Sequence, residues 1–242
     1  MANPVVHFEV LGKDATTLTK FYGGAFGWQL EDVMDGSYYM ANTGGEGDIP
    51  GGIGASPDGG AGHVMFYVQV DDPQASLDKA EKLGGKTTMP VTEIPGVVTL
   101  AQFADPEGST IGLVKNDPNM TPPPTQAAPA ANPVTWFEVA GIDGNKLRDF
   151  YGKLFGWKFN LPPDMDYGMI DAGDHGIGGG VGGVDKPHAI FYAEVANPQA
   201  AMDKIVANGG KVSTPVMDAG MVTMGLFTDP EGNLSGVYKM NQ

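Results

Sequence analysis

Residues 3–10 read NPVVHFEV, and residues 132–139 read NPVTWFEV. The same relation holds further along, because FYGGAFGW at 21–28 returns as FYGKLFGW at 150–157. Shorter matches follow in the same order, which are Phe66-Tyr67 with Phe191-Tyr192, Gly84-Gly85-Lys86 with Gly209-Gly210-Lys211, and Asp105-Pro106-Glu107-Gly108 with Asp229-Pro230-Glu231-Gly232. A repeat of about 115 residues is the size of a duplicated domain and too long for a solenoid unit.

The repeat predicts two domains joined by a spacer. We expect the first domain at residues 3–118 and the second at residues 132–241. Residues 119–131 between them are rich in proline and alanine and show no hydrophobic periodicity. Successive prolines favour an extended chain without internal hydrogen bonds, so this segment is predicted to be a semi-rigid linker.

Composition narrows the classes of function. The 242 residues carry a formal net charge of −15 and contain no cysteine. A surface this acidic repels phosphate backbones and anionic lipid, so we expect no binding to nucleic acid or to membranes. The lack of cysteine excludes thiolate metal sites, disulfide scaffolds and cysteine nucleophiles. The sequence shows no secretory signal and no apolar run long enough to span a bilayer, so we expect a cytoplasmic protein.

Hydrophobic periodicity predicts the same elements in both repeats. In the first repeat a strand begins at Val5, and an amphipathic helix follows that ends at Gly27. The pair Asp72-Pro73 supplies an N-cap and a first-turn proline for a second helix. Short strands fill the remainder, so each repeat consists of two βαβββ modules. The predicted class is α+β, with helices on one face of mostly antiparallel sheets.

Taken together, these motifs resemble those of a known family. The order His7-Phe8-Glu9-Val10, Asp14, Phe26-Gly27-Trp28, Val70-Asp71-Asp72 and Asp-Pro-Glu-Gly is similar to that of the vicinal oxygen chelate superfamily. That superfamily includes glyoxalase I, extradiol dioxygenases and bleomycin-resistance proteins. The resemblance covers both repeats and implies four βαβββ modules that form two glyoxalase/bleomycin-resistance-like domains. It also implies that each domain curls into a cup whose inward side chains hold a divalent metal.

The resemblance implies which positions would hold that metal. They fall on His7, Met65 and Gly112 in the first repeat, and on Trp136, Ile190 and Gly236 in the second. Only His7 can bind a hard or borderline cation, because the other five offer neither imidazole nor carboxylate. We therefore expect no resident cofactor. A divalent metal held irregularly by His7, Glu9 and His63 is kept as an alternative.

Strand alternation predicts which side chains face each cup. Those expected to contact a ligand are Met65, Tyr67, Gln69, Trp136, Glu138, His188, Tyr192 and Tyr238. Such a lining suits an apolar or aromatic molecule, and the chain's single arginine, Arg148, leaves little to clamp an anion. The leading hypothesis is a protein that binds a small organic molecule without the family's usual metal.

Two other classes of function stay open. The first is an enzyme, similar to lactoylglutathione lyase or to a dioxygenase, in which His7, Glu9 and His63 are catalytic through a metal or through acid–base chemistry. The second is a structural or partner-binding role for the second repeat, which has Trp136 in place of His7. The assembly is expected to be a monomer with intramolecular domain pairing or a homodimer.

Glycine runs such as Gly51-Gly52 and Gly178-Gly179-Gly180 stand out between the motifs. They match neither the dinucleotide-binding pattern nor the P-loop pattern, so phosphate binding is not predicted. We expect them to form mobile loops over the mouth of each cup.

Overall fold

The computed structural model describes residues 2–45, 47–57, 59–116, 132–163, 165–170 and 176–241, so the predicted linker at 119–131 lies outside the described residues. The elements of the first repeat are β1 (Val5–Gly12), α1 (Ala15–Phe26), β2 (Gln29–Asp32), β3 (Tyr38–Asn42), β4 (Gly51–Ala55), β5 (His63–Val70), α2 (Pro73–Lys82), β6 (Lys86–Ile94), β7 (Val98–Ala104) and β8 (Thr110–Lys115). Those of the second repeat are β9 (Val134–Gly141), α3 (Gly144–Phe155), β10 (Phe159–Asn160), β11 (Tyr167–Ile170), β12 (Gly178–Gly183), β13 (His188–Glu194), α4 (Pro198–Ala207), β14 (Lys211–Asp218), β15 (Val222–Thr228) and β16 (Leu234–Met240).

The strands form two eight-stranded sheets, one from each repeat. Their orders are β2-β3-β4-β1-β5-β8-β7-β6 and β10-β11-β12-β9-β13-β16-β15-β14. Hairpin neighbours such as β7 and β8 are antiparallel, whereas β1 with β4 and β5 with β8 are parallel. These parallel pairs arise because each module's helix crosses over before three antiparallel strands return beside the first one. The α+β class with four βαβββ modules is confirmed, as mixed sheets; the domain bounds 3–118 and 132–241 stay predictions.

Contacts between elements divide the chain into two compact units that do not follow the order of the repeats. Unit 1 combines α2 and β6–β8 of the first repeat with α3 and β10–β12 of the second. Unit 2 combines α1 and β2–β4 with α4 and β14–β16, and it includes His7–Val64 and the residues from Ile190 onward. Each unit therefore contains half of each repeat, and the side-chain contacts described below lie within a single unit.

The helix signals in the sequence work as predicted. Asp14 caps α1 by accepting a hydrogen bond from the Thr16 N–H at 2.9 Å, and Gly27 ends the helix with φ 74°. Asp72 caps α2 in the same way and is followed by a proline in the first turn. These residues satisfy backbone groups that the ends of a helix leave unpaired.

Each unit has an aromatic core under its helices. In unit 2, Tyr22 of α1 is fully buried and stacks on Trp28 with ring centroids 5.2 Å apart. In unit 1, Tyr151 of α3 is fully buried and stacks on Trp157 at 5.3 Å. Burying rings of this size supplies much of the free energy of folding. No helix among the described residues is long and apolar enough to cross a bilayer.

Candidate functional site

The glycine runs Gly51-Gly52 and Gly178-Gly179-Gly180 form strands and not the loops that the sequence suggested. Gly51, Gly52 and Gly54 lie in β4, and a Cβ added at Gly51 would overlap the ring of Phe8. A Cβ at Gly52 would overlap the ring of Tyr38 on β3. Strand glycines often mark such a close approach, because a ring can lie directly on a backbone that has no side chains. The second repeat does the same in β12, where Phe137 covers Gly179 and Tyr167 covers Gly180.

The ring that covers β4 brings a hydroxyl to Glu9. Glu9 lies on β1 opposite Gly52 and is only 7% exposed. The Tyr38 hydroxyl donates a hydrogen bond to Glu9 Oε1 at 2.8 Å. Sequence reasoning selected Glu9 and missed Tyr38. The usable signal was a tyrosine strand followed by a glycine-rich strand, because the glycines leave room for the tyrosine ring.

Glu138, the counterpart of Glu9, is paired with a histidine. His188 Nε2 lies 2.9 Å from Glu138 Oε1, and His188 Nδ1 lies 3.1 Å from the Lys186 carbonyl oxygen. Which ring nitrogen donates depends on the tautomer of the imidazole. The structure thus brings together two of the predicted ligand-binding residues as a hydrogen-bonded pair.

Tyr67 of the first repeat lies against Gly112, one of the implied metal positions. The two residues are register partners on β5 and β8, and a Cβ at Gly112 would overlap the tyrosine ring. Gln102 donates a hydrogen bond from Nε2 to the Tyr67 hydroxyl at 3.4 Å. Tyr67 is 7% exposed, and its ring occupies the space that a side chain at position 112 would enter.

Tyr192 of the second repeat repeats this arrangement against Gly236. A Cβ at Gly236 would overlap the Tyr192 ring, and the Tyr238 ring meets Tyr192 edge-on with centroids 6.3 Å apart. The hydroxyls of Tyr238 and Thr135 lie 2.8 Å apart, and Thr135 also donates to Glu194 at 3.4 Å. Thr135 and Glu194 therefore place polar groups beside this aromatic pair.

Other predicted site residues have varied surroundings. Met65 is fully buried, while Gln69 donates from Nε2 to Asn116 Oδ1 at 3.2 Å. Trp136 and His63 are half-buried. His7 is half-buried too, and desolvation of its ring lowers the pKa from 6.5 to about 4. Its imidazole is therefore neutral at physiological pH.

These side chains do not fit the metal that the resemblance implies. Of the six implied positions, only His7 carries an imidazole or carboxylate ligand, and the two glycine positions are covered by the rings of Tyr67 and Tyr192. Within the described part of the chain, no three His, Asp or Glu side chains come together as a possible metal site. The residues present offer aromatic surface and hydroxyls where a metal site needs carboxylate and imidazole.

Arg148 is engaged within the fold. It donates to the Val181 carbonyl at 3.1 Å and to Asn145 Oδ1 at 2.6 Å, and it forms an ion pair with Asp166. The side chain is 7% exposed. Its guanidinium holds α3 against β12 and leaves no free fork for an anionic ligand.

Four βαβββ modules in two mixed sheets define the class of paired βαβββ proteins. Residues 5–113 match the Glyoxalase/Bleomycin resistance protein/Dioxygenase superfamily. Relatives include a putative glyoxylase, CFP32, from Mycobacterium bovis, 26% identical over 93% of this chain and 90% of its own length. The anthracycline biosynthesis protein DnrV from Streptomyces peucetius is 26% identical over 97% of this chain and 92% of its own length.

A solved structure agrees with this class. The Mn(II)-bound glyoxalase from Novosphingobium aromaticivorans superposes with a TM-score of 0.66 and 14% identity, covering 98% of this chain and 82% of that one. The second repeat builds the same order of elements as the matched first repeat. The family match over the first repeat and the shared fold confirm the resemblance to the vicinal oxygen chelate superfamily.

Proposed function

We propose that this protein binds a small, uncharged, apolar or aromatic organic molecule, and that it does so without the metal of its family. The observation that carries the proposal is the tyrosine ring on Gly112 and on Gly236. At both positions a tyrosine ring with a polar tip takes the place of a cation ligand, and the two rings are 7% and 5% exposed. In the second repeat the half-buried Tyr238 lies beside this ring and adds accessible aromatic surface, which suits an organic molecule. Engagement of Arg148 within the fold also favours an uncharged ligand.

The second repeat has the better surface for such a ligand. On the open face of β15 and β16, Met224 is the register partner of Tyr238, and Val222 is the partner of Met240. The matched residues of the first repeat are Leu100 with Val114, and Val98 with Asn116. Methionine adapts its shape and contacts aromatic rings favourably through sulfur. We therefore assign the ligand to the face that carries Tyr192, Tyr238, Met224 and Met240.

The hydroxyl group of Tyr238 supplies the polar contact. It shares a hydrogen bond with Thr135, which also reaches Glu194. Because Thr135 donates to Glu194, the Tyr238 hydroxyl donates to Thr135, and its oxygen can still accept a hydrogen bond from a ligand. A neutral phenol, which can donate to this oxygen, is the class of group that fits this position.

Binding of 2-naphthol, compared with 2-naphthoate, tests the proposal. We expect the neutral probe to raise the melting temperature, because a ligand that binds only the folded state stabilises it by mass action. The variant Met224→Gln should lose most of this shift, whereas the matched variant Leu100→Gln in the first repeat should keep it. Equal shifts with both probes, or loss in Leu100→Gln alone, would contradict the assignment.

The metal-free part of the proposal has its own measurement. The purified protein should contain no stoichiometric divalent metal, and Mn, Fe, Ni and Zn should leave its melting temperature unchanged. A stoichiometric metal, or a metal-induced rise that His7→Ala abolishes, would overturn this part while leaving the ligand assignment open to the naphthol test.

A second candidate function is acid–base catalysis, which the carboxylate pairs favour. Glu138 is hydrogen-bonded to His188, and the buried Glu9 accepts a hydrogen bond from Tyr38. Each pair can hold or release a proton beside a bound molecule. Turnover of the hemithioacetal of methylglyoxal and glutathione in the presence of a chelator, abolished in Glu9→Gln or Glu138→Gln, would support this candidate.

We also propose a cytoplasmic location, as the sequence suggested.

A further inference from the structure

Three methionines lie together on the open face of β14, β15 and β16. Met217 of β14 is the register partner of Met224 of β15, and Met224 is in turn the partner of Tyr238 of β16. Met240 lies two residues beyond Tyr238, so it shares the same face of β16. We call Met217, Met224 and Met240 the methionine face.

The packing of the sheet shows which way these side chains point. A Cβ at Gly225 would meet Met202 of α4 at 2.9 Å and Val216 of β14 at 3.3 Å. Gly225 and Val216 are therefore on the side of the sheet that carries the helix. Because neighbouring residues of a strand alternate between the two sides, Met217 and Met224 lie on the side away from the helix.

The sulfur atoms of the methionine face are accessible to small solutes. Met217 and Met240 are 50% and 54% exposed, and Met224 is half-buried. In contrast, Met65 and Met202 in the core are 0% and 2% exposed. Methionine is usually among the buried residues, so three accessible methionines on one face are an unusual feature. An oxidant can reach the sulfur atoms of this face, and the core shields those of Met65 and Met202.

The first repeat has no sulfur at the three matched positions, which are Thr92, Leu100 and Asn116. Strands β6–β8 contain one methionine, Met89, which is the register partner of Gln102. The whole chain also lacks cysteine, whose thiolate would compete for the same oxidants. Oxidation at the positions of the methionine face is therefore specific to the second repeat.

We propose that the methionine face is an oxidation site, and that its oxidation by a hydroperoxide releases the organic ligand from the second repeat. This inference rests on the function proposed above. The thioether sulfur attacks one oxygen of hydrogen peroxide, the O–O bond breaks and an S=O bond forms. Sulfur loses two electrons, and the departing hydroxide takes the proton of the transferred oxygen and leaves as water. The product is methionine sulfoxide, which sulfoxide reductases convert back to methionine.

The sulfoxide changes the surface that the ligand contacts. A thioether packs against an aromatic molecule without needing a hydrogen bond, whereas a sulfoxide oxygen loses its water when a ligand covers it. Met224 lies between Met217 and Tyr238 in the register, so the new oxygen lies beside the tyrosine. We expect the dissociation constant of 2-naphthol to rise about 10-fold or more, because a polar atom is then buried without a partner.

Treatment with hydrogen peroxide at neutral pH, followed by peptide mass spectrometry, tests the oxidation site. Met217, Met224 and Met240 should each gain one oxygen, while Met65 and Met202 should stay unchanged. Oxidation of the two core methionines as fast as the methionine face would overturn this part of the proposal.

The melting temperature with 2-naphthol tests the release. The oxidised protein should lose most of the shift that 2-naphthol gives to the untreated protein, and methionine sulfoxide reductases should restore it. A shift that survives full oxidation of the methionine face would overturn the release.

Leucine variants test whether these methionines are responsible. The triple variant Met217→Leu, Met224→Leu and Met240→Leu keeps the apolar volume, so it should bind 2-naphthol equally well before and after peroxide treatment. The control Met34→Leu removes a methionine that is 60% exposed but outside the methionine face, and its binding should stay sensitive to peroxide. Equal sensitivity of the triple variant and the control would overturn the proposal. The single variant Met224→Leu repeats the test with a smaller change to the fold.

Failure of the proposed function is distinguishable from failure of the release. If the untreated protein gives no shift with 2-naphthol, the proposed function is wrong and the release by oxidation is wrong with it. The peptide masses decide the oxidation site in either case, because they do not depend on a ligand.

Discussion

The two repeats are nearly identical where they contact each other and differ at two of the three positions that the resemblance implies for a metal. Tyr22 donates to Asp229 and Tyr151 donates to Asp105, and these residues are the same in both repeats, as are the turns at 105–108 and 229–232. The first strand, in contrast, has His7 in one repeat and Trp136 in the other. Residues that must fit the opposite repeat are constrained on two sides, whereas a residue on an open face is constrained only by what binds there. The comparison separates architecture from function within one chain.

The largest expected effect belongs to His7, which has no titrating counterpart in the second repeat. Its folded pKa of about 4 lies below its ordinary value of 6.5. As the pH falls, the unfolded chain therefore binds the proton before the folded protein does. The free energy of unfolding has its full value above pH 6.5 and decreases as the pH falls toward 4. The loss reaches about 3 kcal/mol at about 1.4 kcal/mol per pKa unit.

Urea denaturation between pH 7 and pH 4 measures this effect by comparing the natural protein with His7→Gln. Asp105 and Asp229 oppose it, because burial raises their pKa values, and protonation on acidification then favours the folded state. The difference between the two proteins isolates His7. An unchanged pH slope in His7→Gln would show that burial of this ring is not what distinguishes the repeats.

A smaller effect on stability is expected at Gly112 and Gly236, which occupy the same position in the two repeats. Gly112→Ala and Gly236→Ala should each destabilise the protein by about 1–3 kcal/mol, because the new methyl group overlaps a tyrosine ring. In a Tyr67→Ala background, Gly112→Ala should cost little. Equilibrium unfolding of the four proteins forms a double-mutant cycle. A full cost of Gly112→Ala without the ring would mean that backbone conformation, and not the tyrosine, selects glycine here.

The smallest effect concerns a residue found only in the second repeat. Arg148 has Thr19 as its counterpart, so Arg148→Thr makes the two helices alike. We expect a loss of about 1 kcal/mol, since the Val181 carbonyl loses its donor while the ion-pair partner Asp166 is largely exposed. Thermal unfolding measures it, with Lys153→Thr on the exposed side of α3 as control. A cost equal to that of the control would show that the arginine adds nothing to this repeat.

Local signals predicted most of the helices and strands. The apolar stripe of α1, the aspartate and proline that start α2 and the glycine that ends α1 act through near neighbours, so their meaning can be read from the chain. The glycine strands were misjudged for the same reason. Their β structure depends on rings such as Phe8 and Tyr38, which come from other strands and cannot be seen in the run itself.

Within the candidate site, sequence reasoning selected single residues better than it predicted partners. Glu9 and His188 were chosen from alternation, but Tyr38 and Thr135 join them only through pairing between strands that are distant in sequence. The sequence also could not predict which helices and strands form each compact unit. Nothing in the order of the repeats indicates that the helix of one packs with the turn of the other, because that choice is made by tertiary contacts.

The hydrogen bonds from Tyr22 to Asp229 and from Tyr151 to Asp105 have an evolutionary consequence. A chain with a single repeat would already carry both the tyrosine and the aspartate, with Tyr22 able to meet the Asp105 of an identical neighbour. Fusion of two such genes would preserve these contacts while freeing each half to change elsewhere. Later substitutions at them would need a compensating change in the other half, whereas position 7 and position 136 could diverge independently, as the histidine and the tryptophan show.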